Sequence, residues 1–422
     1  MHPESEFIMT LFSSRFSQRP AAVAEIAGSV TAPAGFKAAG LAAGLKKSGK
    51  PDLGLLVSGD PCSSAALYTP NAAAAAPILV CRDETGPGAI QGVVVNSGSA
   101  NACTGAPGLE AARGMVRRAA AACGIEPANM AVASTGVIGV PLPELTGKGI
   151  TAAAAALSAG GGDSFAEAIR TTDSIDKKGA VEVALAAGSV HIGFCAKGAG
   201  MIAPNLATML AFVTTDAGAP AGLLQEMLAA AAGTSFNSIS VDGDMSTNDC
   251  LFLLANGNSG VRLAPGSPDA EVFSQALAAV CKDLALKMVA DGEGATKVIE
   301  LNITGAAAET EAVRVARAIS TSPLVRTAFY GADANWGRLM GSAGAALAGE
   351  RGLAADIYYE DICLAVAGAA APGPVDAGRL AAIMAEPEIA VTLDLHRGAA
   401  GHTMYFSDLT HEYVSINSEY TT

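Results

Sequence analysis

The amino-acid sequence predicts an α/β or α+β protein in which β-sheets pack against helices. Short runs rich in β-forming residues recur between alanine-rich stretches, and these stretches carry small or apolar residues at i, i+3 and i+4. Two of the β-rich runs, 180–186 and 189–195, meet around Ala187-Gly188. This arrangement favours antiparallel hairpins over a strict alternation of strand and helix, and it disfavours a TIM barrel.

The predicted elements follow one another along the whole chain. Short apolar runs with β-branched residues predict strands at 53–57, 92–95, 130–133, 181–186, 190–195 and 210–214. Helical periodicity predicts helices at 108–123, 220–232, 269–290 and 375–384. We find no fixed-period repeat and no Pro/Ser-rich linker, and a chain of 422 residues, 50% of them hydrophobic, suffices for one large or two moderate domains.

The net charge and the cysteine pattern argue against several classes of function. With 26 basic against 40 acidic residues the net charge is −14, so nucleic acid and anionic membrane are poor partners. The alanine-rich apolar runs are far shorter than the ~20 residues of a membrane span, which predicts a soluble protein. The eight cysteines include no CxxC pair, which argues against a zinc ribbon or a thioredoxin site and favours reduced thiols in the cytoplasm. No metal is predicted.

The first part of the chain has no clear role. Residues 1–20 contain two glutamates and two arginines beside a brief apolar patch, so neither a secretory signal nor a clear transit peptide is predicted. The simplest interpretation is a ragged tail, and residues 1–28 are left unassigned. Met9 is an alternative start of the protein.

The segment from Lys197 to Leu210, with the sequence KGAGMIAPNLATML, is the clearest chemical landmark. A loop this rich in glycine can fold tightly around a carbonyl group or cradle a phosphate. It is not a Walker loop, because its lysine precedes the glycines, and Gly198 and Gly200 lack the third glycine of a dinucleotide fingerprint. An Ala-Thr pair, Ala207 and Thr208, opens the apolar run that follows.

This segment resembles the autocleavage segment of the ornithine acetyltransferase (glutamate N-acetyltransferase) family. Further stretches resemble that family in the same order, at 94–105, 133–139, 171–173, 242–249, 291–297, 331–338 and 416–422. The resemblance extends from about residue 30 to the end. Two positions depart from it, since Leu206 stands where methionine is common and Ala199 where serine is frequent.

The resemblance implies a self-processing, N-terminal-nucleophile-like fold formed jointly by two chains. Cleavage between Ala207 and Thr208 would yield an alpha chain, 29–207 after the unassigned 1–28, and a beta chain, 208–422. The implied assembly is a heterotetramer of two alpha and two beta chains. The implied reaction is the ping-pong transfer of acetyl from N2-acetylornithine to glutamate in arginine biosynthesis, and the use of acetyl-CoA as a co-substrate is left open. No other cofactor is implied.

The chemistry of an N-terminal threonine agrees with this implication. A free α-amine has a pKa of ~7.7–8.0, so the amine of a newly exposed Thr208 can take the proton of its own hydroxyl group without a histidine. The five histidines show no HExxH spacing, and the sequence has no GxSxG elbow. On residues alone, the more ordinary interpretation of Thr208 is a β-branched residue that enters a buried strand, and the family resemblance reverses that preference.

The resemblance also assigns site residues. Thr135 and Gly136 correspond to the oxyanion-hole pair, although a turn glycine with a threonine cap has the same pattern. We expect Lys197 to bind the substrate carboxylate and Glu293 its ammonium group. The remaining substrate-binding positions, besides Thr208 itself, are Thr171, Asn417 and Thr422.

Each of these positions has a simpler interpretation. Lys197 and Glu293 are alternatively solvated surface charges, Thr171 a helix cap, and Asn417 and Thr422 parts of a frayed terminus. Two other functions compete with acetyl transfer. One is a self-processing N-terminal-threonine aminopeptidase or amidase, and the other is a non-catalytic protein whose intact glycine loop holds an anion.

Overall fold

The computed structural model describes residues 10–143, 146–203, 209–350 and 352–419. In this part of the chain the strands are β1 (Val23–Ile26), β2 (Phe36–Leu41), β3 (Leu53–Ser58), β4 (Ser63–Tyr68), β5 (Gly92–Asn96), β6 (Met130–Ser134), β7 (Lys177–Leu185), β8 (Gly188–Lys197), β9 (Leu210–Thr215), β10 (Ile239–Ser240), β11 (Cys250–Ala255), β12 (Val298–Ala306), β13 (Asp356–Tyr359), β14 (Ile362–Val366), β15 (Ala369–Ala370), β16 (Glu388–Asp394) and β17 (Ala400–Ser407).

The helices of the described residues lie between these strands and at the end of the chain. They are α1 (Ala76–Glu84), α2 (Gly105–Cys123), α3 (Thr146–Ala155), α4 (Gly162–Ala168), α5 (Ala221–Gly233), α6 (Pro268–Ala290), α7 (Glu309–Ser320), α8 (Pro323–Tyr330), α9 (Trp336–Ala346), α10 (Ala377–Ala385) and α11 (His411–Glu419). No helix in the described ranges is both long enough and apolar enough to cross a membrane.

The N-terminal sheet has the order β2-β3-β5-β6. Strands β3, β5 and β6 are buried along their whole length, which accounts for their continuous runs of aliphatic residues. Helix α2 connects β5 to the parallel strand β6. This crossover brings Asn96, at the end of β5, level with Ser134, at the end of β6, so the residues that follow both strands emerge at one edge.

The middle sheet has the order β1-β7-β8-β9-β11-β4 and carries the glycine-rich segment. Strand β8 ends at Lys197, which is paired with Leu210 at the start of the antiparallel strand β9. Leu210 is also paired with Cys250 in the parallel strand β11. The pairing therefore fixes both ends of the segment that joins β8 to β9.

The C-terminal sheet has the order β10-β17-β12-β16-β13-β14-β15 and is mixed, because β12 is parallel to β16 and antiparallel to β17. Helix α7 packs on β12 and β17. The helix begins with two glutamates, Glu309 and Glu311, and has Arg317 in its last turn, which complements the helix dipole. Its apolar side is buried against the sheet.

The structure confirms the α/β class and the position of each predicted element. The six predicted strands overlap β3, β5, β6, β7, β8 and β9, and the predicted helices overlap α2, α5, α6 and α10, with bounds that differ by at most a few residues. The expected hairpin is β7–β8, which pairs from Leu185 and Gly188 outward. The sheets are nevertheless mixed, because the β5-α2-β6 unit and the β9–β11 and β12–β16 pairs are parallel.

The expectation of a ragged tail is wrong for residues 10–20. The Phe12 amide donates a 2.8 Å hydrogen bond to Asp283 of α6, and Phe16 is buried against Tyr405 with ring centroids 5.8 Å apart. Arg15 lies beside Glu360. An apolar anchor and long-range hydrogen bonds therefore hold this segment to the folded chain.

Candidate functional site

The site is a cavity of about 170 Å³ near the point where β6 and β8 end. We call it the mixed-charge cavity because its lining combines a lysine with several carboxylates and hydroxyl groups. Among the residues expected from the sequence, its walls contain Thr135, Gly136, Thr171, Lys197, Glu293 and Asn417. The cavity therefore brings together residues that are distant in sequence, from Thr135 to Asn417.

Thr135 and Gly136 form a rigid turn after β6. The Thr135 amide donates to the Asn96 carbonyl at 2.9 Å, and the Asn248 side chain donates to the Ser134 carbonyl at 2.9 Å. Gly136 has φ of +133°, and a Cβ atom there would lie 2.9 Å from backbone atoms of Gly98. Only glycine fits such a close approach, so the turn has a fixed shape.

Lys197 is 4% exposed, so its interpretation as a solvated surface charge is wrong. Its Nζ atom donates to the Thr135 hydroxyl oxygen at 3.4 Å. Burial lowers the pKa of Lys197, and the nearby acidic residues, chiefly Asp173, oppose this only in part. Lys197 therefore loses its proton more readily than an exposed lysine does.

A buried ion network supports the loop beside Lys197. Asp173 accepts hydrogen bonds from Lys177 Nζ and from the Gly198 amide, both at 2.7 Å, and from the Thr171 amide at 3.2 Å. Lys177 also contacts Asp291 at 2.5 Å. Thr171 lies in a bend after α4, and its amide is bound by the Asp173 carboxylate. It is therefore not a helix cap.

Burial and ion pairing shift the pKa values of Asp173 and Lys177 in opposite directions. Burial alone would raise the pKa of Asp173, but Lys177, Lys197 and the Gly198 amide lower it below its ordinary value. Burial would lower the pKa of Lys177, yet Asp173 and Asp291 raise it. Asp173 and Lys177 are therefore both charged at neutral pH, and they form a fixed ion pair behind the loop.

Glu293 and Asn417 form a further part of the wall of the mixed-charge cavity. Asn417 of α11 donates from Nδ2 to Glu293 Oε2 at 2.9 Å, and the Glu293 amide donates to the Ala199 carbonyl at 2.8 Å. A Cβ atom on Gly200 would lie 2.6 Å from the Glu293 carboxyl group, so the glycine leaves room for that group. Asn417 is thus part of an ordered helix rather than a frayed end.

The same cavity includes residues for which no role was predicted, among them Asp242, Asp244, Asn248 and Tyr413. Asp242 accepts hydrogen bonds from the amides of Met201 and Ile202 at 2.6 and 2.8 Å. Burial raises the pKa of Asp242 to about 6. These residues lie within or near the motifs at 242–249 and 416–422, and that proximity was the one signal available for them.

Three of the expected residues, Ala207, Thr208 and Thr422, lie outside the described residues. Before these two residues in the sequence, the described chain ends at Ala203, and after them it resumes at Met209. The Met209 amide donates to Asp249 Oδ1 at 3.1 Å. In the described ranges, no group of three or more His, Cys, Asp or Glu side chains is arranged to hold a metal ion.

The arrangement suits a small ligand that carries charges of both signs. The lining combines one buried lysine, Lys197, with the carboxyl groups of Glu293 and Asp242, and Thr135 and Thr171 add neutral hydroxyl groups. Amino acids have this combination of carboxylate and ammonium groups, and so do N2-acyl amino acids that carry an amine on the side chain.

Comparison with known proteins places the chain in a family. The ArgJ family model matches residues 37–422. The arginine biosynthesis bifunctional protein ArgJ of Symbiobacterium thermophilum is 49% identical over 401 residues, which cover 94% of this chain and 99% of that protein. The ArgJ protein of Geobacter sulfurreducens is 43% identical over 390 residues, covering 92% and 99%. A crystal structure of argJ from Bacillus halodurans is 38% identical, with a TM-score of 0.46, and covers 50% of this chain and 98% of that one. The chain belongs to the ArgJ family of arginine biosynthesis enzymes.

Proposed function

We propose that this acyltransferase is a glutamate N-acetyltransferase that carries acetyl on Thr208 from N2-acetylornithine to glutamate. The observation that supports this most is the mixed-charge cavity, in which Thr135, Lys197 and the Glu293–Asn417 pair face one space. That space lies beside the β8–β9 segment, which contains the proposed nucleophile. The family membership of the chain supports the same pathway.

The first stage is self-cleavage between Ala207 and Thr208. The Thr208 hydroxyl oxygen attacks the Ala207 carbonyl carbon, the acyl group moves from nitrogen to oxygen, and water hydrolyses the resulting ester. The products are residues 1–207, of which 29–207 form the alpha chain, and a beta chain of residues 208–422. Asp242 holds the chain before the scissile bond through Met201 and Ile202. Such anchoring favours a fixed geometry for the attack.

The second stage uses the new α-amine of Thr208 as the base. The Thr208 hydroxyl attacks the acetyl carbonyl of N2-acetylornithine, ornithine leaves, and glutamate then takes the acetyl group from the enzyme. The Gly136 amide and the Thr135 hydroxyl are the proposed donors to the oxyanion. The Thr135 hydroxyl oxygen accepts a hydrogen bond from Lys197 Nζ, and this leaves the hydroxyl hydrogen of Thr135 free to point into the cavity.

Charge complementarity supports the proposed binding of the substrate. Lys197 pairs with the α-carboxylate and Glu293 with the side-chain ammonium group. Thr171 and Asn417 supply neutral hydrogen bonds, and Asn417 also orients Glu293. Thr422 is the remaining proposed contact, and it lies outside the described residues.

Further features of the proposal follow from the family. The relatives are named bifunctional, which supports a second acyl donor, and acetyl-CoA is our candidate because it would make the enzyme an N-acetylglutamate synthase as well. We assign no other cofactor and no metal. The proposed assembly has two alpha and two beta chains in the cytoplasm.

Intact-mass spectrometry under denaturing conditions tests the proposal, with samples taken before and after exposure to N2-acetylornithine. The expected result is two chains, with one acetyl group gained only by the chain that starts at Thr208. A cut protein that stays unacetylated and hydrolyses peptides favours the aminopeptidase or amidase, and an uncut chain favours the anion-binding protein. Thr208→Ala should remain whole and inactive, whereas Thr208→Ser keeps part of both activities.

A further inference from the structure

Asp249 is a buried carboxyl group that binds the amide of Met209, the second residue after the proposed cleavage site. It is 0% exposed, and it immediately precedes β11. Its Oδ1 atom accepts the Met209 amide at 3.1 Å, and the Met209 carbonyl accepts the Cys250 amide at 3.1 Å. Since Met209 is bonded to Thr208, three covalent bonds separate the amide that Asp249 holds from the nitrogen of the scissile peptide bond.

The second oxygen of this carboxyl group is unusual. Oδ2 is buried, and no described residue forms a hydrogen bond of good geometry with it. Asp242, which binds residues that precede the cleavage site in the sequence, instead accepts three amides, those of Met201, Ile202 and Asp244. A buried polar atom to which no described residue makes a well-formed hydrogen bond is costly, so its presence at this position calls for a functional explanation.

The surroundings favour the neutral form of Asp249. Burial raises the pKa of Asp249 well above its usual value, and the opposing effects of the Met209 amide, the Ser246 hydroxyl and Lys197 are smaller. The neighbouring titratable groups are Lys197 at the end of β8 and the buried Cys250 thiol of β11. A neutral carboxyl group has one oxygen that donates a proton and one that accepts it.

We propose that Asp249 relays the proton of the self-cleavage step. The Thr208 hydroxyl oxygen forms a bond to the Ala207 carbonyl carbon while the bond from that carbon to the Thr208 nitrogen breaks. One carboxyl oxygen of Asp249 gives its proton to the departing nitrogen, and the other receives the proton of the threonine hydroxyl group. Asp249 ends in the form in which it began, and the inference rests on the proposed self-cleavage.

Cleavage of newly made protein tests the relay. The full chain is synthesised in a cell-free system, and the cut fraction is followed by denaturing mass spectrometry at a series of pH values. The wild-type rate should be constant at low pH and fall about tenfold per pH unit above the pKa of Asp249, because the ionised carboxylate has no proton to give. Asp249→Asn keeps the shape and an acceptor for the Met209 amide, and it should cleave at least about 100-fold more slowly, without the alkaline fall.

The matched control is Asp242→Asn, which neutralises the carboxyl group that binds the amides of Met201 and Ile202. Whatever its absolute cleavage rate, this variant should show the same decrease of the rate at alkaline pH as the wild type. The relay is overturned if Asp249→Asn cleaves at the wild-type rate, or if it is slow but retains the same fall. A wild-type rate without any alkaline fall overturns it too, and that result needs no folded variant. A wild-type chain that is never cut rejects self-cleavage itself.

Discussion

The side-chain amide of Asn417 donates a 2.9 Å hydrogen bond to the carboxylate of Glu293, although the two residues are 124 positions apart. Asn417 also donates to the Tyr413 carbonyl one helical turn earlier at 3.0 Å. Its amide is therefore fixed between its own helix, α11, and the wall of the mixed-charge cavity. The end of the chain positions the carboxylate that we assign to the substrate ammonium group.

Removing the Glu293 charge should weaken the binding of the donor. Glu293→Gln keeps the size of the side chain but loses the ion pair with the ammonium group, so we expect the KM for N2-acetylornithine to rise about 10- to 100-fold. Steady-state kinetics with varied N2-acetylornithine measure it. Glu412→Gln, an exposed glutamate of α11, is the control and should behave as wild type. Equal KM values for Glu293→Gln and wild type would contradict the assignment.

Lys197 should give the reaction a characteristic dependence on pH. Because burial lowers the pKa of Lys197, its charge is lost at a lower pH than that of a free lysine. Binding of the substrate carboxylate is then full below this lowered pKa and weakens as the pH rises through it. The KM of wild type should rise in this alkaline range.

Lys197→Met isolates the contribution of this charge. The KM for N2-acetylornithine should be raised about 10- to 100-fold and should no longer rise with pH, since the carboxylate has lost its partner. Lys37→Met, on the exposed side of β2, is a control for the loss of one positive charge. An unchanged KM in Lys197→Met would argue against the carboxylate role.

The turn formed by Thr135 and Gly136, which we propose as the oxyanion hole, offers a steric test. Gly136→Ala would place a methyl group against the backbone of Gly98 and Ser99, so the turn must shift and the proposed donor with it. We expect kcat to fall about 100- to 1000-fold, as when one oxyanion donor is lost. Gly139→Ala has a similarly unfavourable φ, of +79°, but no atom within 4 Å of the new methyl group. It should lose some stability and keep most of kcat, and equal losses of kcat would show that backbone strain alone is responsible.

Much of the fold could be predicted from local signals. Strands β3, β5 and β6 are continuous apolar runs, and such runs indicate strands buried on both sides. Strand β16 alternates buried and half-buried residues along its length, so the sequence also carried its signal, although it was not among the predicted strands. Strands β1 and β15 are short and mostly exposed, and only their pairing partners define them.

The site was less predictable because its geometry depends on tertiary contacts. The residues of the cavity come from motifs that the resemblance identified, but spacing alone does not indicate that Asn417 meets Glu293. Asp249 closes the polar run 242–249, which has the composition of an exposed turn. Its complete burial follows from the pairing of the adjacent Cys250 with Leu210, a contact between strands distant in sequence.

The Lys177 network should be essential for stability. Lys177→Met would leave Asp173 and Asp291 buried without their cation, and breaking a buried pair in this way costs about 3–5 kcal/mol of unfolding free energy. Lys178→Met, the next residue on β7, is the matched control. It removes a lysine that is paired with Asp163 and Asp176 near the surface, and such pairs contribute about 0–1 kcal/mol. Urea unfolding at pH 7 compares the two variants.

The pH dependence separates this charge effect from a simple loss of packing. The pKa of Asp173 is depressed in the folded protein, so its contribution to stability is present above its ordinary value of 3.8 and is lost as the pH falls through the lower folded value. In Lys177→Met the carboxyl groups no longer have that cation, and protonation relieves the uncompensated charge. The difference in unfolding free energy between wild type and Lys177→Met should therefore shrink as the pH is lowered from 7 towards 4. A difference that is independent of pH, or no larger than that of Lys178→Met, would show that the network contributes only packing.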